Sequence, residues 1–157
     1  MVGLTLWIAT ILGSIIAIAP ETYLDTRIYD REQRLRKEGR YVSNKPMQDK
    51  TGQMPWRIIT FLFLDYGIIS TILGMPYKNW DGISIWLLAV LGVVVLSIGV
   101  AWITLNGVFN LHINKPLSFT GTTSEIDKRY GDDTLKYQII LIAVGSALIG
   151  FHSIILV

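Results

Sequence analysis

Between Ile83 and Leu111 the chain carries no ionisable side chain: ISIWLLAVLGVVVLSIGVAWITLNGVFNL. A helix in water needs one face that meets water, and this stretch has none to offer. An uncharged run well beyond ~18 residues is instead the composition of a helix solvated by lipid. The rest of the chain is organised around that requirement. With 51% hydrophobic residues and a mean hydropathy of +0.45, 157 residues suit one small polytopic membrane domain. The expected fold is all-α: a bundle of four transmembrane helices at about 2–19, 56–75, 83–111 and 134–157.

The first span, VGLTLWIATILGSIIAIA, is uncharged. Ala17-Ile18-Ala19 has the small-x-small look of a cleavage site, but no basic residue precedes the apolar run and Pro20 follows it. A secretory leader carries a basic n-region, so a retained helix is expected. Ala9, Gly13 and Ala17 recur every fourth residue, a row along which another helix could approach closely. Pro20 either kinks this helix or starts a new one, and ETYLDTRIYDREQRLRKEG then has helical character. Leu24, Ile28 and Leu35 form a sparse apolar stripe, Asp30 with Arg34 and Glu32 with Arg36 are i,i+4 pairs, and Gly39 is a stop signal. Residues 40–55 are rich in turn formers.

The second span starts near Pro55 and ends at Gly74-Met75-Pro76. A short link, Tyr77–Gly82, makes spans two and three antiparallel neighbours. The third exceeds what a bilayer requires, so it tilts or protrudes at its inner end. Pro116 and a capping-box pattern, Thr122-x-x-Glu125, fall in the loop that follows. In the fourth span, Ala143-xxx-Ala147 and Ser146-xxx-Gly150 are further rows expected to pack closely.

Thirteen of the fourteen basic residues lie in the two polar stretches, 20–55 with its flank and 112–133 with its flank; Lys78 alone lies on the other side. By the positive-inside rule both loops should be cytoplasmic and both termini extracytoplasmic. Aromatic residues agree: Trp7, Tyr77, Trp80 and Trp86 would mark the outer interface, and Tyr23, Trp56 and Tyr137 the inner one. Arg27, Arg31, Arg34, Arg36, Lys37 and Arg40 make a basic run just inside the membrane, where it would either be solvated or attract anionic lipids. No aromatic interleaving or nucleic-acid-binding module accompanies it.

Asp65 is the sharpest chemical feature. It stands about eight residues from Arg57, roughly 12 Å deep at 1.5 Å per residue and close to the midplane of a ~30 Å core. An ionised carboxylate there costs at least ~2.5 kcal/mol, so it must face the interior, a cavity or a partner. Aligned by depth, Ser14, Ser97, Gly145 and Ser146 come out at its level. Three roles remain open: a hydrogen-bonded pin between helices, a proton or ion relay, and a contact to another subunit or ligand.

His112 and His152 lie at opposite ends of the bundle, roughly 22 Å apart in depth, and cannot share one metal or haem within a protomer. His112 is expected in the wet headgroup zone and His152 hydrogen-bonded to a neighbouring helix. Glu125, Asp127, Asp132 and Asp133 lack EF-hand spacing, and helix caps account for most of them. Asn106, Asn110 and Asn114, at i,i+4,i+8, place polar groups on one face of the inner helix end, where with His112 they would form a pocket mouth or bond a partner helix. Cysteine is absent, which excludes disulfides and thiolate sites. No phosphate loop, HExxH or GxSxG pattern is present. No metal or cofactor is expected, but bound lipids are.

These residues support three functions: a non-catalytic subunit of a larger membrane complex or a self-associating protein, a small transporter or channel built on Asp65, and a membrane enzyme with a cytoplasmic-face site. For the last, the size, outward termini and basic first cytoplasmic loop resemble the small four-span glutathione-transferase-type enzymes of eicosanoid metabolism. Their arginine- and asparagine-containing signature on span two has no counterpart here, so the resemblance is one of architecture.

Overall fold

The computed structural model describes residues 2–40, 64–69, 72, 80–119 and 133–155. Most of the second span, the capping-box pattern at Thr122, and Tyr77, Lys78, Trp56, Arg57, Glu125, Asp127 and Asp132 lie outside the described residues. Those described form α1 (Val2–Lys37), α2 (Trp80–His112) and α3 (Thr134–Ile155), with a further helical segment at 64–69 and no strand among them. All three long helices contain stretches apolar enough to cross a membrane: Gly3–Lys37, Ile83–His112 and Thr134–His152.

The first helix does not stop where its apolar run stops. α1 continues through Pro20, giving one rod about 54 Å long at 1.5 Å per residue. Proline forfeits one amide donor, and a helix inside a bundle tolerates that loss better than one in water. The stop comes at Gly39. With φ at +70°, Gly39 lets its own N–H bond the Arg36 carbonyl at 3.1 Å and the Arg40 N–H reach back to Leu35 at 3.0 Å. That pair of bonds is a Schellman motif, and it satisfies carbonyls that the helix end would otherwise orphan.

α2 ends the same way with a different residue. Asn114 takes φ 56°, its N–H bonds the Leu111 carbonyl at 3.2 Å, and Lys115 N–H bonds the Asn110 carbonyl at 2.8 Å. This corrects the expectation for Asn106, Asn110 and Asn114: the third lies beyond the helix and serves its termination, because asparagine tolerates the left-handed region.

Among the described helices the α2–α3 interface is the most extensive, and glycine shapes it. A Cβ on Gly92 would meet Ile149 Cγ1 at 2.9 Å, one on Gly99 would meet Ile142 Cγ1 at 2.9 Å, and one on Gly145 would stand 2.5 Å from the backbone nitrogen of Leu96. The pairs 92/149, 96/145 and 99/142 run in opposite directions at three- and four-residue steps, so α2 and α3 are antiparallel with a coiled-coil-like seam. The core gathers around that seam: Leu6 from α1, Ile69 from the short segment, Ala89, Val93, Leu96 and Val100 from α2, and Ile149 from α3.

The small-residue rows turn out unequally. Gly13 does receive a neighbour: a Cβ there would lie 3.1 Å from Leu64 and 3.2 Å from Ile68. In α3, Ser146 meets α1, whereas Ala143, Ala147 and Gly150 face outward, and among the described residues nothing lies within 4 Å of a Cβ on Gly150.

The distribution of polarity is inverted relative to a water-soluble globule. Leu4, Leu12, Ile16, Leu87, Leu91, Ile98, Ile139, Phe151 and Ile154 are exposed, while Thr10, Ser14, Thr22, Asp65, Ser97, Asn110, Thr134, Gln138 and His152 are buried. An apolar surface of this extent, on helices long enough to span a bilayer, fits a lipid surrounding. The hydroxyls survive inside because they bond their own helix: Thr10 donates to the Leu6 carbonyl at 2.7 Å, Ser14 to Thr10 at 2.7 Å and Thr22 to Ile18 at 3.0 Å.

Candidate functional site

Ser97 stands at the middle of the uncharged run Ile83–Leu111, so its depth is that of the bilayer centre. It is 1% exposed, and its hydroxyl donates to Asp65 Oδ1 at 2.7 Å. Asp65 itself is 4% exposed. The bond ties the 64–69 segment to α2, while Gly13 of α1 makes room for Leu64 and Ile68 on either side of Asp65. A side chain at Gly13 would have to displace those two leucine and isoleucine tips. The carboxyl group is thus held in a cleft between two long helices.

Ser14 follows Gly13 and therefore shares Asp65's level. Its hydroxyl is committed to the Thr10 carbonyl. Ser146 is engaged elsewhere, accepting a 2.8 Å hydrogen bond from Trp7 Nε1, which links α1 to α3. Of the mid-depth serines, Ser97 is the one bonded to Asp65; Ser146 ties α3 to α1, and Ser14 is bonded within its own helix.

At the C-terminal end of α2, His112 Nε2 lies 2.8 Å from Asp30 Oδ1. Tyr29 packs edge-on against both Phe109, at 5.8 Å, and His112, at 6.2 Å. These contacts join the C-terminal ends of α1 and α2, so the two helices run parallel. Asp30 was expected to pair with Arg34 along its own helix; it is drawn to α2 instead. Asn110 is buried and donates through Nδ2 to the carbonyls of Leu117, at 3.2 Å, and Phe119, at 2.7 Å. It folds the loop back on the helix end, which leaves half-buried Asn106 as the member of the trio still on the helix without a loop to hold.

His152 is 2% exposed, and among the described residues its Nδ1 has no hydrogen-bond partner; Gln138 Nε2, near the opposite end of α3, is likewise buried without a partner among them. Both follow the spacing of Gly145 and Ile149 and so lie on the face turned to α2. The expected hydrogen bond from His152 to a neighbouring helix is not made at Nδ1. Among the described residues, no three His, Cys, Asp or Glu side chains come together as a ligand set.

Comparison with protein-family models, with curated proteins and with solved structures finds no match for this chain. Fold and polarity together define its class: a small helical membrane protein, with long apolar helices that fit a multi-pass integral arrangement.

Proposed function

We propose that this protein is a non-catalytic structural subunit of a larger membrane assembly, built as a four-span bundle with both termini extracytoplasmic. The observation that carries the reading is the Ser97–Asp65 bond. The one carboxyl group at mid-depth is spent on holding two helices together, which is the role polar residues commonly play between membrane helices. The Trp7–Ser146 and Asp30–His112 ties work in the same sense between other helix pairs and at the helix ends.

The parallel direction of α1 and α2 supports the threading. A chain that leaves α1 on one side and enters α2 on the other must cross back between them, and the helical segment 64–69 lies packed at mid-depth in that interval. The basic loops then fall together on the cytoplasmic side. The outward Ala143, Ala147 and Gly150 support a subunit role, since small residues let a partner helix approach.

The test is extraction of the tagged full chain from its own membranes in mild detergent, with identification of what remains bound. Defined, stoichiometric membrane partners are expected. A monodisperse species containing this chain alone would refute the subunit reading.

The depth of Asp65 favours one alternative, a transporter or channel. Asp65→Asn separates the two. A transporter variant keeps its assembly and loses flux in proteoliposomes, whereas a structural pin loses assembly or stability.

A further inference from the structure

The geometry points to a binding site for anionic phospholipid headgroups on the outward face of α1, formed by Arg27, Arg31 and Arg34. This rests on the membrane-spanning reading of α1 and is independent of the subunit role. The full run of six basic residues is a poor guide, because the helix separates them by direction and by height.

Direction comes first. Arg27, Arg31 and Arg34 are exposed and recur at steps of four and three, which places them on one face. Of the acidic residues in the same stretch, exposed Glu38 follows this face just beyond the helix end, where it lies beside Arg40, and the others turn elsewhere. Asp25 is buried, Glu21 and Glu32 are half-buried, and Asp30 is occupied by His112. The outward face is therefore positive even though the stretch as a whole is nearly balanced. Among the described residues no carboxylate pairs with these three arginines, whereas Arg40 lies 3.7 Å from Glu38.

Height comes second, and the fold supplies the ruler. Ser14 shares the level of Asp65 and Ser97, the bilayer centre. Half of a ~30 Å hydrocarbon core is about ten residues of helix, which sets the inner boundary near Leu24. Two observations agree with that boundary. Tyr23 and Leu24 are 61% and 52% exposed, an aromatic and an apolar side chain turned to the surroundings where lipid ends. The Arg27 guanidinium carbon sits 5.9 Å from the centre of the Tyr23 ring, bent back toward the membrane.

From Leu24, Arg27 rises about 5 Å, Arg31 about 10 Å and Arg34 about 15 Å at 1.5 Å per residue. Helical side chains lean toward the N-terminus, which here is toward the bilayer. Arg27 and Arg31 thus reach the phosphate layer, and Arg34 stays within about one ~8 Å screening length of it. Guanidinium groups bind phosphate through paired donors, so the ligand is the headgroup phosphate of an anionic lipid and its ester oxygens. Arg36, Lys37 and Arg40 stand higher or face other ways, and are excluded from the site.

The experiment uses the full chain in nanodiscs of zwitterionic phosphatidylcholine with a minor fraction of phosphatidylglycerol. Lipids retained after release are counted by native mass spectrometry. The expected result is enrichment of phosphatidylglycerol over its bulk fraction, falling about fivefold for each arginine replaced in R27Q, R31Q and R34Q. A second variant, R36Q/K37Q/R40Q, removes the same charge from the excluded positions and keeps the enrichment. Circular dichroism and size on gel filtration establish that both variants fold. Equal enrichment in the wild type and the R27Q/R31Q/R34Q variant, or equal loss in both triple variants, overturns the site. Retention of protein partners by a variant that has lost the lipid separates this site from the subunit role.

Discussion

Replacing Gly145 by alanine tests the α2–α3 seam at its tightest point. The added Cβ would stand 2.5 Å from the Leu96 nitrogen and 2.8 Å from its Cα and Cβ. Comfortable contact is ~3.5–4.0 Å, so the helices must part by about 1 Å there. The receiving atoms are mostly backbone and cannot rotate aside. A gap of that width forfeits a quarter to a half of each dispersion contact along the seam. The Gly92–Ile149 and Gly99–Ile142 contacts sit within two turns on either side and share the loss. Overpacking of this kind costs ~1–3 kcal/mol, and a rigid obstacle argues for the upper part of that range. Alanine's better helix propensity returns up to ~1 kcal/mol. Gly150→Ala measures that return by itself, because no described residue lies within 4 Å of the Cβ it adds. Unfolding would be followed in mixed micelles with rising sodium dodecyl sulfate, by tryptophan fluorescence. Trp7 is a suitable reporter, since its indole bonds Ser146 beside the mutated position. Gly145→Ala should be less stable than Gly150→Ala by about 2–3 kcal/mol. Equal stability of the two variants would refute the seam as described.

Ser97→Ala should destabilise the bundle by about 1–2 kcal/mol, since it leaves a buried carboxyl group without its donor. A double-mutant cycle with Asp65→Leu reads the coupling, and a coupling near zero would mean the 2.7 Å bond holds nothing. At the end of α2, Asn114→Gly should be neutral or slightly stabilising, whereas Asn114→Val should cost ~1 kcal/mol or more because a β-branched residue resists positive φ. The same micelle titration measures both, and a tolerated valine would argue against the left-handed cap.

Charge depletion and depth are legible in such a chain; the facing of its helices is not. The run 83–111 called for one long apolar helix, and α2 covers it. Counting residues from the polar boundary put Asp65 and Ser97 at one level, where they are bonded. Gly39 stopped α1 as its chemistry requires. Hydrophobicity cannot say which side of a membrane helix faces protein, because lipid and bundle interior are both apolar. Rows of small residues were therefore ambiguous. Gly13 packs inward, Ala143, Ala147 and Gly150 face outward, and the decisive Gly145 belonged to a different row. Its signal lay in polar residues: Gln138 and His152 share its face, and buried polarity marks the protein-facing side of a helix in lipid. Asn114 misled for a related reason, since its spacing imitates a helical face while its backbone preference ends the helix.

α1 passes from oil into water without a joint. A helix broken at Pro20 would dissipate any push on its polar C-terminal tip in a hinge. An unbroken rod delivers it as a lean of the whole helix, and Gly13 has no side chain with which to cushion Leu64 and Ile68. Whatever grips the arginines therefore pulls mechanically on the cleft that holds Asp65.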